Sequence, residues 1–127
     1  MFSEAPILVV EDNLYLSLDL SAAIEDMDGR VVGPASSVSE ALSLLDQHHV
    51  AGAIVDCRLA DRDSTLLAKQ LAERGVPFVI HSATPVPATI AIAHPDVPVL
   101  MKPLRPQAVL TCLLDEMRKT KDRTNPN

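Results

Sequence analysis

Five residues in this chain have types and spacing suited to joint chemistry: Glu11, Asp12, Asp56, Ser82 and Lys102. Glu11-Asp12 follows the apolar run Ile7-Leu8-Val9-Val10, and Asp56 follows Ala53-Ile54-Val55. Ser82 comes just after Val76 to Ile80, beside His81 and Thr84, and Lys102 follows Val97 to Met101. Three carboxylates gathered at one edge repel strongly, since a pair about 4 Å apart at an effective dielectric near 20 costs ~4 kcal/mol. Protonation, water or a cation relieves such a cluster. Oxygen ligands without His or Cys favour Mg²⁺, which keeps several waters and takes one or two protein carboxylates. With Mg²⁺, the Lys102 ammonium and the Ser82 hydroxyl can each hold one oxygen of a phosphoryl group. Asp56 is the candidate nucleophile for that group, because a carboxylate can form an aspartyl phosphate.

These residues converge only if the apolar runs are neighbouring strands. Ile7 to Val10 is continuous and β-prone, as suits a strand buried on both faces. Asn13 is a plausible N-cap, and Leu16, Leu20, Ala23, Ile24 and Met27 then form one helical stripe, closed by Gly29. Val31-Val32 predicts a short strand ending at Gly33-Pro34. Ser37-Val38-Ser39-Glu40 matches a capping box for the next helix. Ser64 to Arg74 predicts a third helix with Gly75 after it, and Pro106 suits the first turn of a last one. Between them, Ser82 to Pro98 is interrupted by prolines, leaving only Ala88 to Ala93 for a short or irregular fourth helix. Strands alternating with helices imply right-handed crossovers. The expected fold is α/β: a doubly wound, five-stranded parallel sheet. In such sheets ligands bind at the carboxyl ends of the strands, near the switch point in strand order. All five residues belong at that edge.

Composition narrows the function classes. The chain has 127 residues and 47% hydrophobic content, enough for one domain with a real core. That core must be aliphatic, since the aromatics are Phe2, Tyr15 and Phe78. The formal charge of −6 argues against non-specific nucleic-acid binding. No apolar run approaches the ~20 residues of a membrane helix, and Met1 to Pro6 lacks the features of a signal peptide. Cys57 and Cys112 have no metal-type spacing, so the expectation is reduced thiols in a cytoplasmic protein. The expected domain is 1–118. Residues 119–127 form a basic, polar tail that composition predicts to be disordered.

The ordered set Ile7-Leu8-Val9-Val10-Glu11-Asp12-Asn13, Ile54-Val55-Asp56, Ser82-Ala83 and Met101-Lys102-Pro103 resembles a response-regulator receiver domain, of flavodoxin-like fold, over about residues 6 to 118. The resemblance implies that Asp56 accepts a phosphoryl group from a histidine kinase or a histidine phosphotransfer protein. It implies Mg²⁺ on Glu11, Asp12, Asp56 and the backbone carbonyl of Arg58, with Ser82 and Lys102 engaging the phosphoryl group. It also implies a cis Lys102–Pro103 bond. The protein would then be a single-domain regulator rather than an enzyme, with at most slow autodephosphorylation. It would signal through contact with an unknown downstream protein, with a homodimer possible. Three positions depart from the family pattern: Ala60 and Ser64 stand where a Pro and a Gly are usual, and Val99 where an aromatic is usual. These departures motivate a second reading, a phosphorylation-independent pseudo-receiver used as a binding module. A third, a phosphohydrolase with an aspartyl nucleophile, fits less well, because Leu14 stands where such enzymes carry a second aspartate and the chain has no length for a cap domain.

Overall fold

The computed structural model describes residues 1–124. Its elements are β1 (Pro6–Val10), α1 (Leu14–Asp26), β2 (Arg30–Ala35), α2 (Val38–Gln47), β3 (Gly52–Val55), α3 (Thr65–Glu73), β4 (Phe78–Ser82), α4 (Ala88–Ala93), β5 (Val99–Met101) and α5 (Pro106–Thr124). The strands pair in parallel in the order β2-β1-β3-β4-β5. Strand order therefore reverses between β1 and β3, where Glu11-Asp12 and Asp56 emerge.

The sheet divides the core by its period of two. Ile7, Val9, Ile54 and Val79 face one layer, packed by Leu20 and Ile24 of α1 and by Val109, Leu110 and Leu113 of α5. Leu8, Val10, Val55, Phe78 and Ile80 face the other, packed by Val38 and Ala41 of α2, Leu67 and Leu71 of α3, and Ile90 of α4. Each buried aliphatic side chain contributes about 1.5–3 kcal/mol, so burial on both faces holds β1 and β3 firmly in register. Asn13 caps α1 by accepting from the Leu16 amide at 3.1 Å, and Ser37 caps α2 by accepting from Glu40 at 3.1 Å.

Several boundaries differ from expectation: β4 runs Phe78–Ser82 and not Val76 to Ile80, so Ser82 ends the strand, and β5 begins at Val99 and not Val97. β2 does not stop at Gly33-Pro34; it continues to Ala35, with an irregular register opposite Leu8 and Val10 and a cis Gly33–Pro34 bond. β2 is an edge strand, where the missing proline N–H is tolerated. Gly33 has φ +98, and a Cβ there would lie 2.8 Å from the Ala35 nitrogen, so glycine is required. At the other end, α5 carries residues 119–124, expected in the polar tail, as helix. The pairs Arg118–Asp115 (3.7 Å) and Lys119–Glu116 (3.5 Å) support it. Residues 125–127 of the expected tail lie outside the described residues.

Candidate functional site

Glu11, Asp56 and Lys102 are each placed by a sheet or sheet-edge amide. Glu11 N–H donates to the Ala35 carbonyl at 2.9 Å, so the continuation of β2 helps set its position. Asp56 N–H donates to the Val10 carbonyl at 2.9 Å, and Lys102 N–H to the Ser82 carbonyl at 2.8 Å. The Lys102–Pro103 bond is cis.

Lys102 Nζ lies 2.7 Å from Glu11 Oε1 and 3.0 Å from Asp56 Oδ2. All three side chains are mostly buried, with 14%, 3% and 10% exposed respectively. The second Glu11 oxygen accepts the Asn13 N–H at 3.1 Å. Ligand oxygens of Glu11, Asp12 and Asp56 lie within 4.8 Å of one another, with Asp12 the exposed member. Burial pushes the Glu11 carboxyl up to about 7, partly opposed by its bonds to Lys102 and Asn13 and reinforced by the charge of Asp56. Burial pulls the Lys102 ammonium down, but its bonds to Glu11 and Asp56 outweigh that and hold it above its ordinary value. The cluster thus keeps Lys102 charged while Glu11 is poised between its two forms. The donor set of three carboxylates, with no thiol or imidazole, fits a hard cation such as Mg²⁺.

Ser82 is fully buried and turned elsewhere. Its hydroxyl meets Cys57 Sγ at 2.8 Å and donates to the Thr84 carbonyl at 2.9 Å, while accepting the Thr84 N–H at 3.1 Å. None of its hydrogen bonds among the described residues reaches Asp56. The structure therefore brings Glu11, Asp12, Asp56 and Lys102 together and leaves Ser82 beside them, bonded to its own loop.

The loop after Asp56 is built without the usual proline and glycine. Arg58 N–H approaches Asp56 Oδ1 at 3.4 Å, and Arg58 pairs with Asp63 in an isolated antiparallel bridge. Ser64, fully buried, donates its hydroxyl to the Asp56 carbonyl and its N–H to the Cys57 carbonyl. Asp61 reaches the start of α2, accepting from the Val38 and Ser39 amides at 2.9 and 3.1 Å. Those amide bonds hold its carboxyl below the ordinary range. Sequence inspection missed these supports. In sequence Ser64 reads only as the start of a helix and as a departure from the family pattern, and Asp61 and Val38 are too far apart to form a local pattern.

His81, beside Ser82, is buried, and neither ring nitrogen has a partner among the described residues. Burial, together with the charge of Lys102, lowers its pKa, so it packs as a neutral ring. On β5, Val99 is 44% exposed. α4 buries only Ile90, in keeping with the short fourth helix expected.

No family model matches the chain, and no curated protein matches it. Solved structures do. One is a response regulator receiver domain protein (CheY-like) from Methanospirillum hungatei JF-1, at TM-score 0.85 and 18% identity, covering 95% of this chain and 99% of that one. Another is a response regulator receiver protein from Sinorhizobium medicae WSM419, at TM-score 0.80 and 22% identity, covering 94% and 99%. SdrG from Sphingomonas melonis Fr1 is similar at 30% identity and TM-score 0.71, covering 90% and 99%.

Proposed function

From the premise that this chain is a response-regulator receiver domain by its fold, we propose that it accepts a phosphoryl group on Asp56 with Mg²⁺ and signals by protein contact. The observation that carries this reading is Asp56 Oδ2 held 3.0 Å from Lys102 Nζ, with Glu11 and Asp12 carboxylates within 4.8 Å. A carboxylate paired in that way with an ammonium is held in one orientation, as a nucleophile must be. One Asp56 oxygen attacks phosphorus on a phosphohistidine of a histidine kinase or phosphotransfer protein. The O–P bond forms as the N–P bond breaks, and the imidazole leaves. Glu11, Asp12, Asp56 and the Arg58 carbonyl would hold Mg²⁺, which when bound neutralises charge on the phosphoryl oxygens. Lys102 is already placed to pair with an anion on Asp56, and Ser82 has to leave its present partners to do so. The phosphoryl group carries about −1.5 to −2 charges and replaces the single carboxylate charge, so about one negative charge is added beside Asp12 and Glu11.

Hydrolysis of the acyl phosphate is at most slow in this scheme, so the protein acts as a switch and not as an enzyme. Leu14, Tyr15 and Leu18 lie exposed at the start of α1, next to Asp12, and offer an apolar surface on which a phosphodonor can seat. No helix among the described residues is long and apolar enough to cross a membrane. Incubation with acetyl phosphate and Mg²⁺ is expected to label the protein stoichiometrically, and Asp56→Asn to abolish labelling. Persistent labelling of that variant defeats the assignment. The pseudo-receiver reading draws on Val99 at the place of the usual aromatic. It gains ground if titration to millimolar Mg²⁺ gives no saturable binding.

A further inference from the structure

Ser82 is the group that must move, and its present bonds are saturated. A hydroxyl offers one donor and two acceptor positions. Its proton is given to the Thr84 carbonyl at 2.9 Å, and one lone pair accepts the Thr84 N–H at 3.1 Å. Two groups are placed to supply the second donor: Cys57 Sγ, 2.8 Å from the same oxygen, and Thr84 Oγ1, farther away at 3.3 Å. Cys57 is completely buried, is directly joined to Asp56, and meets Thr84 Oγ1 only at 3.8 Å. Ser82 is thus the nearer partner of the thiol, and the thiol is nearer to the Ser82 oxygen than the Thr84 hydroxyl is.

We propose that Cys57 is a positioning residue: its S–H holds the Ser82 hydroxyl in the resting place and sets how readily that hydroxyl is released to a phosphoryl group on Asp56. The inference rests on the phosphoacceptor reading above, and it deepens it by naming what opposes the switch. Engaging a phosphoryl oxygen requires Ser82 to turn its O–H away from Thr84, which swings the oxygen off the Cys57 thiol. The bond is intact in one state and lost in the other, so it weighs on the equilibrium between them. Cys57 touches neither the cation nor the phosphoryl group in this scheme, so metal binding should not register its loss.

Two measurements on the full chain test the proposal. The first is the affinity for beryllofluoride in saturating Mg²⁺, beside the affinity for Mg²⁺ alone. Cys57→Ala and Cys57→Val both remove the donor, one by shrinking the side chain and one by enlarging it. Each is expected to tighten beryllofluoride binding about twofold, the low end for one hydrogen bond because a thiol is a weak donor, with Mg²⁺ affinity unchanged. Cys57→Ser restores a donor and is expected to bind as the parent does. Equal affinity across the series, weaker binding by Ala and Val, or a Ser variant that follows Ala overturns the proposal. The second is the infrared S–H stretch of Cys57 in a Cys112→Ser background. The band should lie at the low frequency of a bonded thiol and shift upward in Ser82→Ala. A band already at the free-thiol frequency overturns the proposal without touching the function of Asp56. Failure of the parent protein to bind beryllofluoride at all overturns the phosphoacceptor reading and the proposal with it, while the S–H band still reports the contact.

Discussion

Replacing Asp56 with asparagine is expected to make the metal-free protein more stable, although the change removes an ion pair. Lys102 Nζ lies 3.0 Å from Asp56 Oδ2, an attraction of ~5.5 kcal/mol at an effective dielectric near 20. Against it stands a Glu11 oxygen within 4.8 Å, a repulsion of at least ~3.5 kcal/mol on the same scale. Asp12 adds a smaller repulsion, since its exposed carboxylate is screened by water. The charge terms therefore leave a net attraction of at most about 2 kcal/mol. What remains is the cost of keeping a carboxylate out of water at 8% exposure, several kcal/mol per ion after relaxation. Asparagine keeps the shape and can still accept from Lys102, which retains Glu11 at 2.7 Å and is not left unpaired. The expected net gain is about 1–3 kcal/mol. Urea unfolding followed by circular dichroism in EDTA at pH 8 reads it as a higher midpoint with unchanged slope. At pH 6 the gain shrinks, because Glu11, with its value near 7, is then protonated and repels no longer. With Mg²⁺ at one hundred times its dissociation constant, the parent gains about 2.7 kcal/mol. The variant has lost a ligand charge and gains less, so the two draw level or the order inverts. A variant that unfolds at lower urea than the parent, in EDTA at pH 8, refutes this account of the cluster.

Lys102→Met removes the only cation bonded to Glu11 and Asp56 among the described residues, and at pH 8 in EDTA should cost about 3–5 kcal/mol by the same urea assay. Added Mg²⁺ should recover part of that loss, and none of it if the acids do not bind the ion. Ser64→Ala leaves the Asp56 carbonyl without its hydroxyl donor, so a drop of about 1–3 kcal/mol in unfolding free energy is expected. His81 has its folded pKa below the ordinary 6.5, with Lys102 and Asp56 the charges that act on it. At His81 the unfolded chain therefore binds more protons once pH falls below about 6.5, a loss of stability that opposes the gain from Glu11, which takes up its proton first in the folded chain. His81→Leu should remove that loss, so the urea midpoint shifts toward greater stability at acid pH than in the parent, and an unchanged slope would count against a buried neutral ring.

Much of this architecture was legible because local and tertiary demands coincide. Ile7 to Val10 and Ala53 to Val55 are buried on both faces, so continuous apolar runs marked β1 and β3 directly. The acids at their ends could then be placed by the rule for parallel sheets alone. Pro87 before Ala88 and Pro95 after Ala93 bounded α4 correctly. β2 was cut short because Gly33-Pro34 signals a turn, and only its edge position lets a strand absorb it. α5 was cut short because Arg118, Lys119 and Lys121 suggest a solvated tail, whereas extending an established helix by one residue costs little. The surroundings of Ser82 were illegible for a different reason. Cys57 and Ser82 are 25 residues apart, and a cysteine after Asp56 carries no periodic or capping signal. Their meeting follows from β3 and β4 lying side by side, which fixes the two strand ends but not the rotamers there.

The amide rungs under Glu11, Asp56 and Lys102 make the sheet itself the gauge of the site. Adjacent strands stand about 4.8 Å apart, so the separations among the acids are inherited from strand spacing and not from any connecting segment. Connecting segments can then drift in sequence while the gauge stays true, as Ala60, Asp61 and Ser64 illustrate with a loop held by carboxylate and hydroxyl bonds. It follows that grafting a foreign β3–α3 loop onto this scaffold should leave the backbones of Asp56, Glu11 and Lys102 at the same spacing, because the amide bonds that set it lie outside that loop.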